Sequence, residues 1–232
     1  SREGYSIGSI FAVPSPRVNP ENGYRVYVNA AGDEVQYNHV GANRWTYVKD
    51  GTPAPGINNY SDGKIYGPSL PTYYGGFNNI FNYKNFDVNI GIVFSGGNKL
   101  YNGTRANLLD QRYFNNGTFV KDRWTKPGQV TDVPKLVYGD NVSSGFGITN
   151  SSNVEDGSYV KLKNIAVGYR IPVQKITRNA ISSARLYLQG SNLLTLTKYR
   201  GSDPEISING NSIDSGKDHN SVVNAHQLLK MN

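Results

Sequence analysis

The chain has 232 residues, enough for one sizeable all-β domain or two smaller ones. Only 37% is hydrophobic, Gly (26) and Tyr (17) are abundant, and the absence of Cys excludes disulfides, thiolate nucleophiles and Cys-based zinc sites. The net charge of +7 comes from 24 Lys plus Arg against 17 Asp plus Glu, scattered beside one another as in "KDRWTK" (121–126), with neither an arginine-rich run nor a stacking motif; nucleic acid is not among the expected partners. Gly and Asn tolerate the backbone of tight turns and Tyr favours strands, so the composition points to many strands joined by polar turns.

In chain order, "YSIGSIFAV" (5–13) is strand-like and stops at a proline-rich loop, "PSPRVNPENG". "YRVYVNAAGDEVQYNHV" (24–40) reads as two short β runs joined in a hairpin whose turn is supplied by Gly32 and Asp33. Residues 50–71 carry too many prolines and glycines for a central strand and are expected to be loop. From Thr72, "TYYGGFNNIFNYKN" places Tyr73, Phe77, Phe81 and Tyr83 on one parity, turns at 83–85, and enters "FDVNIGIVFSGG". There Phe86, Val88, Ile90, Ile92 and Phe94 alternate with Asp87, Asn89, Gly91, Val93 and Ser95, the period of a half-buried strand. Two strands of ten or more residues exceed the usual soluble length and match what a tilted strand needs to cross a bilayer.

A long polar stretch follows from Asn98 to Gly157; such irregular segments are usually functional loops. "SYVKLKNIAVGYRIP" then resumes the strand pattern with a change of phase: Val160 and Leu162 are apolar on even numbers, and Ile165, Val167, Tyr169 and Ile171 on odd ones. One extra residue near Lys163 and Asn164, a β-bulge, would keep both halves on one face. "ARLYLQGSNLLTLTKY" is its expected antiparallel partner, with Leu186, Leu188, Leu194 and Leu196 in phase. Short turns at one end and long loops at the other fit an outer-membrane barrel, with Tyr73, Phe94, Tyr159, Tyr169 and Tyr199 as interfacial girdle residues. The same rows would also pack sheet on sheet in a soluble sandwich. Periodicity alone leaves both readings open.

Catalytic and metal signatures are weak. "SGGNKLYNGTR" (95–105) lacks the GxxxxGK[ST] spacing of a phosphate loop, and no helix is expected after it. Asp203 and Glu205 in "GSDPE" suit turn chemistry around Pro204 better than a glycosidase pair. His39, His219 and His226 lack metal spacing, and the sequons at Asn59, Asn102, Asn116, Asn141 and Asn150 reflect the abundance of Asn, Ser and Thr. The expectation is a non-enzyme with no metal and no cofactor. In the long loop, Tyr113, Phe114, Asn115, Asn116 and Trp124 are candidate substrate-binding residues, able to stack on sugar rings and hydrogen-bond hydroxyls; the competing role for Trp124 is to anchor loop packing.

Five blocks in series carry a resemblance: "GKIYGPSLPTYYGGFNNIFNYKNFDVNI", "FSGGNKLYNGTRA", "RWTKPGQVTDVPKL", "VEDGSYVKLKNIAVGYRIP" and "LYLQGSNLLTLTKYRGSDPE". In this order they resemble the C-terminal part of SusC-type TonB-dependent outer-membrane transporters. The resemblance implies an all-β fold: an antiparallel transmembrane β-barrel portion of about seven or eight strands from a large, plugged barrel. It implies a multi-pass protein of the cell outer membrane that imports glycans, oligosaccharides or peptides. Its partners would be a SusD-like surface lipoprotein, the TonB complex acting through an N-terminal plug, the barrel-assembly machinery and outer-membrane lipid. Residues 1–221 would be barrel, and 222–232, "VNAHQLLKMN" with its preceding Val222, a tail standing where the family has an aromatic-terminated last strand. The alternative is a soluble β-sandwich carbohydrate-binding module.

Overall fold

A computed structural model describes residues 3–6, 8–112, 115–173, 181, 183–205 and 217–218. In chain order its strands are β1 (Ile10–Ala12), β2 (Val26–Val28), β3 (Glu34–Tyr37), β4 (Trp45–Tyr47), β5 (Lys64–Gly67), β6 (Tyr73–Tyr83), β7 (Phe86–Gly96), β8 (Lys99–Asn102), β9 (Val154–Asp156), β10 (Tyr159–Ile171), β11 (Ala184–Thr197) and β12 (Lys217–Asp218). One six-residue helix, α1 (Gly103–Leu108), follows β8. The sequence reading counted seven or eight strands. The additional ones are short pieces of two to four residues, and four strands run for 11 to 14.

The chain divides into two compact units. The sheet unit, Pro71–Gly97 with Gly157–Lys198, holds the four long strands in the antiparallel order β11-β10-β7-β6. β6 and β7 pair from Tyr73↔Gly96 to Tyr83↔Phe86 and leave Lys84 and Asn85 to turn. Lys84 has φ of +52°, the left-handed conformation that two-residue hairpin turns demand. The bulge falls where the phase change places it: Leu162 faces Ile92 and Asn164 faces Gly91, so Lys163 has no opposite number on β7. Across the other edge of β10, Leu162 faces Leu194 and Asn164 faces Ser191, with Asn192 at φ +52° inside the matching irregularity. Most of the β10–β11 connection lies outside the described residues.

The loop unit, Ser1–Leu70 with Asn98–Asp156 and Tyr199–Asn232, contains short strands around a small core. β2, β3 and β4 form a meander with Val26↔Gln36 and Val35↔Tyr47 in register, and Gly32 turns the first hairpin at φ +91°. Val13, Tyr27, Val35, Tyr37 and Ile148 make the core, with Trp45, Tyr47, Ala54, Ile57 and Val142 packed against it. Trp45 meets the Tyr27 ring edge-on at 5.5 Å and the Tyr37 ring at 4.9 Å.

Two local expectations need correction. Residues 50–71 are not all loop: β5 pairs with β1, because Lys64–Gly67 falls between the prolines and is short enough to serve as a two-strand edge. A helix does follow "SGGNKLYN": Asn102 caps α1 by accepting from the Arg105 amide at 2.8 Å, and Ala106 and Leu108 suit its single turn and a half. The phosphate-loop spacing is still missing, and so short a helix makes no anion site.

Candidate functional site

The long sheet has two chemically distinct faces, fixed by register. Cross-strand partners share a face, so Phe81↔Val88↔Val167↔Leu188, Phe77↔Ile92↔Leu162↔Leu194 and Tyr83↔Phe86↔Tyr169↔Leu186 form continuous apolar rows over four strands. Asn79, beside Ile90, is the polar exception there. Rows of the opposite face read Asn82↔Asp87↔Gly168↔Tyr187, Ile80↔Asn89↔Ala166↔Gln189 and Asn78↔Gly91↔Asn164↔Ser191. Without the bulge at Lys163, half of β10 would carry its apolar residues to the wrong face.

The apolar face is open. Leu188 is 79% exposed, Leu186 69% and Phe77 57%, values no sandwich interior permits. Val88, Ile90 and Ile92 are half-buried, each flanked in the sheet by neighbours on both sides. The buried residues of the four strands are Gly91, Ser95, Gly96, Lys161 and Gly168; among the described residues, no large apolar side chain of these strands is buried. This is the inverse of a soluble core.

On the polar face, Arg185 of β11 reaches over β10 to Asp87 of β7, with Nε donating to Oδ1 at 3.1 Å. Gly168 makes this possible: a Cβ there would stand 2.5–2.7 Å from the guanidinium and carboxylate atoms. Gly91 likewise lies beneath the Asn164 amide. The face therefore offers amides and hydroxyls, suited to hydrogen-bonding a passing polar molecule.

The expected aromatic girdle is only partly realised. Tyr73 and Phe94 share the apolar face at the long-loop end, and Tyr169 stacks with Phe86 at 4.7 Å at the short-turn end. Tyr159, paired with Ser95 and Thr197, belongs to the polar face, and Tyr199 is buried in the loop unit just beyond β11, so neither is a girdle residue.

Of the loop candidates, Tyr113 and Phe114 lie outside the described residues. Asn115 is exposed, and Asn116 is committed through its Nδ2 to the carbonyls of Leu108 and Asp110, both at 2.9 Å. Trp124 donates from Nε1 to the Pro20 carbonyl at 2.8 Å, and its ring covers Gly23, where a Cβ would come within 2.5 Å. Asp203 accepts from the Glu205 amide at 2.8 Å, a turn contact, and His39 meets the Tyr37 hydroxyl at 3.0 Å; His219 and His226 lie outside the described residues.

Sequence reasoning missed an arginine cluster in the loop unit. Arg25, fully buried, donates to the carbonyls of Asp132 (2.7 Å) and Ser143 (3.2 Å). Burial holds its guanidinium below the ordinary arginine value, against the opposite pull of Tyr27 and Asp132. Arg105 and Arg200 both reach the Asp132 carboxylate. Burial likewise pushes the Tyr101 phenol up to about 12, and it stays a neutral donor to the Gly145 carbonyl. The partners are up to 118 residues apart, so no local motif announces them.

Comparison with known proteins finds relatives of one kind. Over 155 residues the chain is 37% identical to the TonB-dependent receptor P26 of Formosa agariphila. The relatives it matches are TonB-dependent receptors. The match to P26 takes in 65% of this chain and 15% of P26. TonB-dependent receptor P3 of the same organism is 37% identical over 146 residues (62% of this chain, 14% of P3), and P39 is 29% identical over 175 (73% and 16%). The chain thus spans about 15% of the length of the curated relatives it matches. No family model matches it. Among solved structures, the RagAB peptide importer in its closed-closed state aligns over 90% of this chain and 21% of its own, with a TM-score of 0.59 and 23% identity. Its open-open state aligns with a TM-score of 0.61 and 20% identity, over 90% and 20% of the two chains. At these identities the likeness establishes the fold alone: an antiparallel all-β barrel fragment, not closed among the described residues.

Proposed function

We propose that this chain forms part of the wall and the outward loops of an outer-membrane nutrient importer, without enzymatic activity, for glycans, oligosaccharides or peptides. The observation that carries the reading is the inside-out sheet: its large apolar side chains face outward and its tightest positions are Gly, Ser and Lys. In a bilayer the open apolar face meets hydrocarbon, and the amide-rich face lines an aqueous lumen. The two free sheet edges require further strands, since unpaired backbone groups cost several kcal/mol each in lipid. Residues 1–221 are assigned to that barrel; the segment 222–232, expected as a tail, lies outside the described residues. A SusD-like lipoprotein over the outward loops and the TonB complex on the opposite side complete the machine. Tyr113, Asn115, Asn116 and Trp124 are the substrate-facing candidates of the long loop.

The test is fractionation and uptake with a full-length receptor carrying this stretch. It should partition to the outer membrane, require detergent for extraction, and admit a fluorescent oligosaccharide or oligopeptide only in cells with TonB. A detergent-free, cooperatively folding monomer that binds the oligosaccharide would instead support the sandwich module.

A further inference from the structure

Asp132, in the long loop between α1 and β9, is held by arginines from three separate parts of the loop unit. Its carbonyl accepts from Arg25 at 2.7 Å, ahead of β2. Its Oδ2 accepts from Arg105 of α1 at 2.8 Å and from Arg200, beyond β11, at 3.0 Å. Arg200 is itself clamped to Glu155 of β9, its amide donating to Oε2 at 2.7 Å and its Nε to Oε1 at 3.0 Å, while Asn102 of β8 donates to the same Oε1 at 3.1 Å. Arg105 lies over the Phe119 ring at 4.5 Å.

The segment around Asp132 is tied to the region ahead of β2 by Lys135 N–H donating to the Gly23 carbonyl at 3.0 Å, and through Trp124, whose N–H donates to the Val133 carbonyl at 3.0 Å and whose indole Nε1 donates to the Pro20 carbonyl at 2.8 Å. Asp132 is therefore the ionic connection between that pad and a frame made of β8, α1, β9 and Arg200. Three guanidinium groups surround two carboxylates. If the Asp132 charge leaves, Arg105 and Arg200 face each other with Glu155 alone between them, and like-charge repulsion drives the pieces apart. The Asp132 side chain is 58% exposed and that of Arg200 46%, so water and salt reach the joint; the Arg105 side chain is only 9% exposed. An ordinary surface pair would be worth little, but a carboxylate shared by two arginines and bridging separate segments forms a network.

We propose that Asp132 is a releasable ionic clasp in the loop unit, whose opening frees α1 and the segment after β11 from the pad while leaving the four-stranded sheet intact. This conclusion does not depend on what the receptor transports.

The experiment is peptide-resolved hydrogen exchange on a full-length receptor in detergent, wild type against Asp132→Asn, Asp132→Glu, Arg200→Gln and the Asp132→Asn/Arg200→Gln pair. Asp132→Asn is expected to speed exchange in residues 103–109 and 198–203 by about fivefold or more. Exchange in 86–96 and 159–171 should stay as it was. The effects of the two substitutions should combine to less than their product in the double variant, because both remove the Asp132–Arg200 pair, while Arg200→Gln also gives up the Nε bond to Glu155. Raising salt from about 0.01 M to about 1 M, which shrinks the screening length from about 30 Å to about 3 Å, should reproduce part of the effect in wild type and none in Asp132→Asn. Asp132→Glu should retain most of the protection. Unchanged exchange in Asp132→Asn, multiplying effects in the double variant, equal loss in the Glu and Asn variants, or a rise spread over the long strands would each overturn the proposal.

Discussion

In β1, β2 and β3 the buried side chains are Ile10, Ala12, Val26, Tyr27, Val35 and Tyr37; in the four long strands the buried residues are Gly91, Ser95, Gly96, Lys161 and Gly168. The loop unit hides its hydrocarbon from water by packing it against itself, with an aromatic centre of Tyr27, Tyr37 and Trp45. The sheet unit leaves Leu186, Leu188, Leu194 and Leu196 in the open. One chain therefore carries sequence written for two solvents. The same rule, that apolar surface leaves water, gives an inward core where water surrounds the fold and an outward one where lipid does.

The contrast is broken most severely by placing a charge on the outward face. Ile165→Arg, at the middle of β10, is expected to cost about 2–4 kcal/mol and remove most of a full-length receptor from the outer membrane. Ala166→Arg, one residue along on the polar face, should leave receptor abundance nearly unchanged. Quantitative immunoblots of membrane fractions compare the two.

For the loop unit the matching disruption is deletion of a buried hydroxyl. Tyr27→Phe removes only the hydroxyl that donates to the Val142 carbonyl at 2.7 Å and should cost about 0.5–1.5 kcal/mol. It should raise hydrogen exchange in residues 26–37 and leave 86–96 protected, so the two units respond independently. Gly168→Ala is gentler still. Its methyl meets the movable ends of Arg185 and Asp87, so the cross-strand pair opens at a cost of about 0.2–1 kcal/mol, and adding Asp87→Asn should cost little more. Thermal melts in detergent measure both variants and their combination.

Acid provides the mildest perturbation, confined to the loop unit. Burial pushes the Asp132 carboxyl upward, but Arg105, Arg200 and Arg25 outweigh it and hold the group below the usual aspartate range. Its stabilising contribution is then complete above the unfolded-state value of about 3.9 and is lost as pH falls through the lower folded value. Protection in residues 103–109, exchange taken relative to the intrinsic amide rate at each pH, should be flat between about pH 5 and 8 and fall only near pH 3 and below.

Period-two alternation made the sheet legible in the sequence. The parity of Val88, Ile90 and Ile92 fixes a face, the slip between Leu162 and Ile165 announces the bulge, and the two residues left between long runs mark the turn at Lys84. Which solvent the face meets was not legible from alternation, because sandwich and barrel strands share it; the exposure of Leu186 and Leu188 in the folded sheet and the relatives support the proposed contact with lipid. The loop unit was less readable. β4, β8 and β9 are only three or four residues long, too short for a period to register, and α1 is a turn and a half. The Asp132 cluster depends on contacts across 27 and 68 residues, made by arginines that look like ordinary surface charge in the sequence.

The most direct test uses the chain's lack of cysteine. Single Cys substitutions from Val88 to Val93 in a full-length receptor, spin-labelled and reconstituted in bilayers, report accessibility to oxygen dissolved in lipid and to a water-soluble nickel chelate. Labels at 88, 90 and 92 should favour oxygen and those at 89 and 93 the chelate, alternating along β7; Gly91, beneath the Asn164 amide, is left unlabelled. Labels at 88, 90 and 92 that are shielded from both reagents would mean that protein covers this face, contradicting its assignment to lipid.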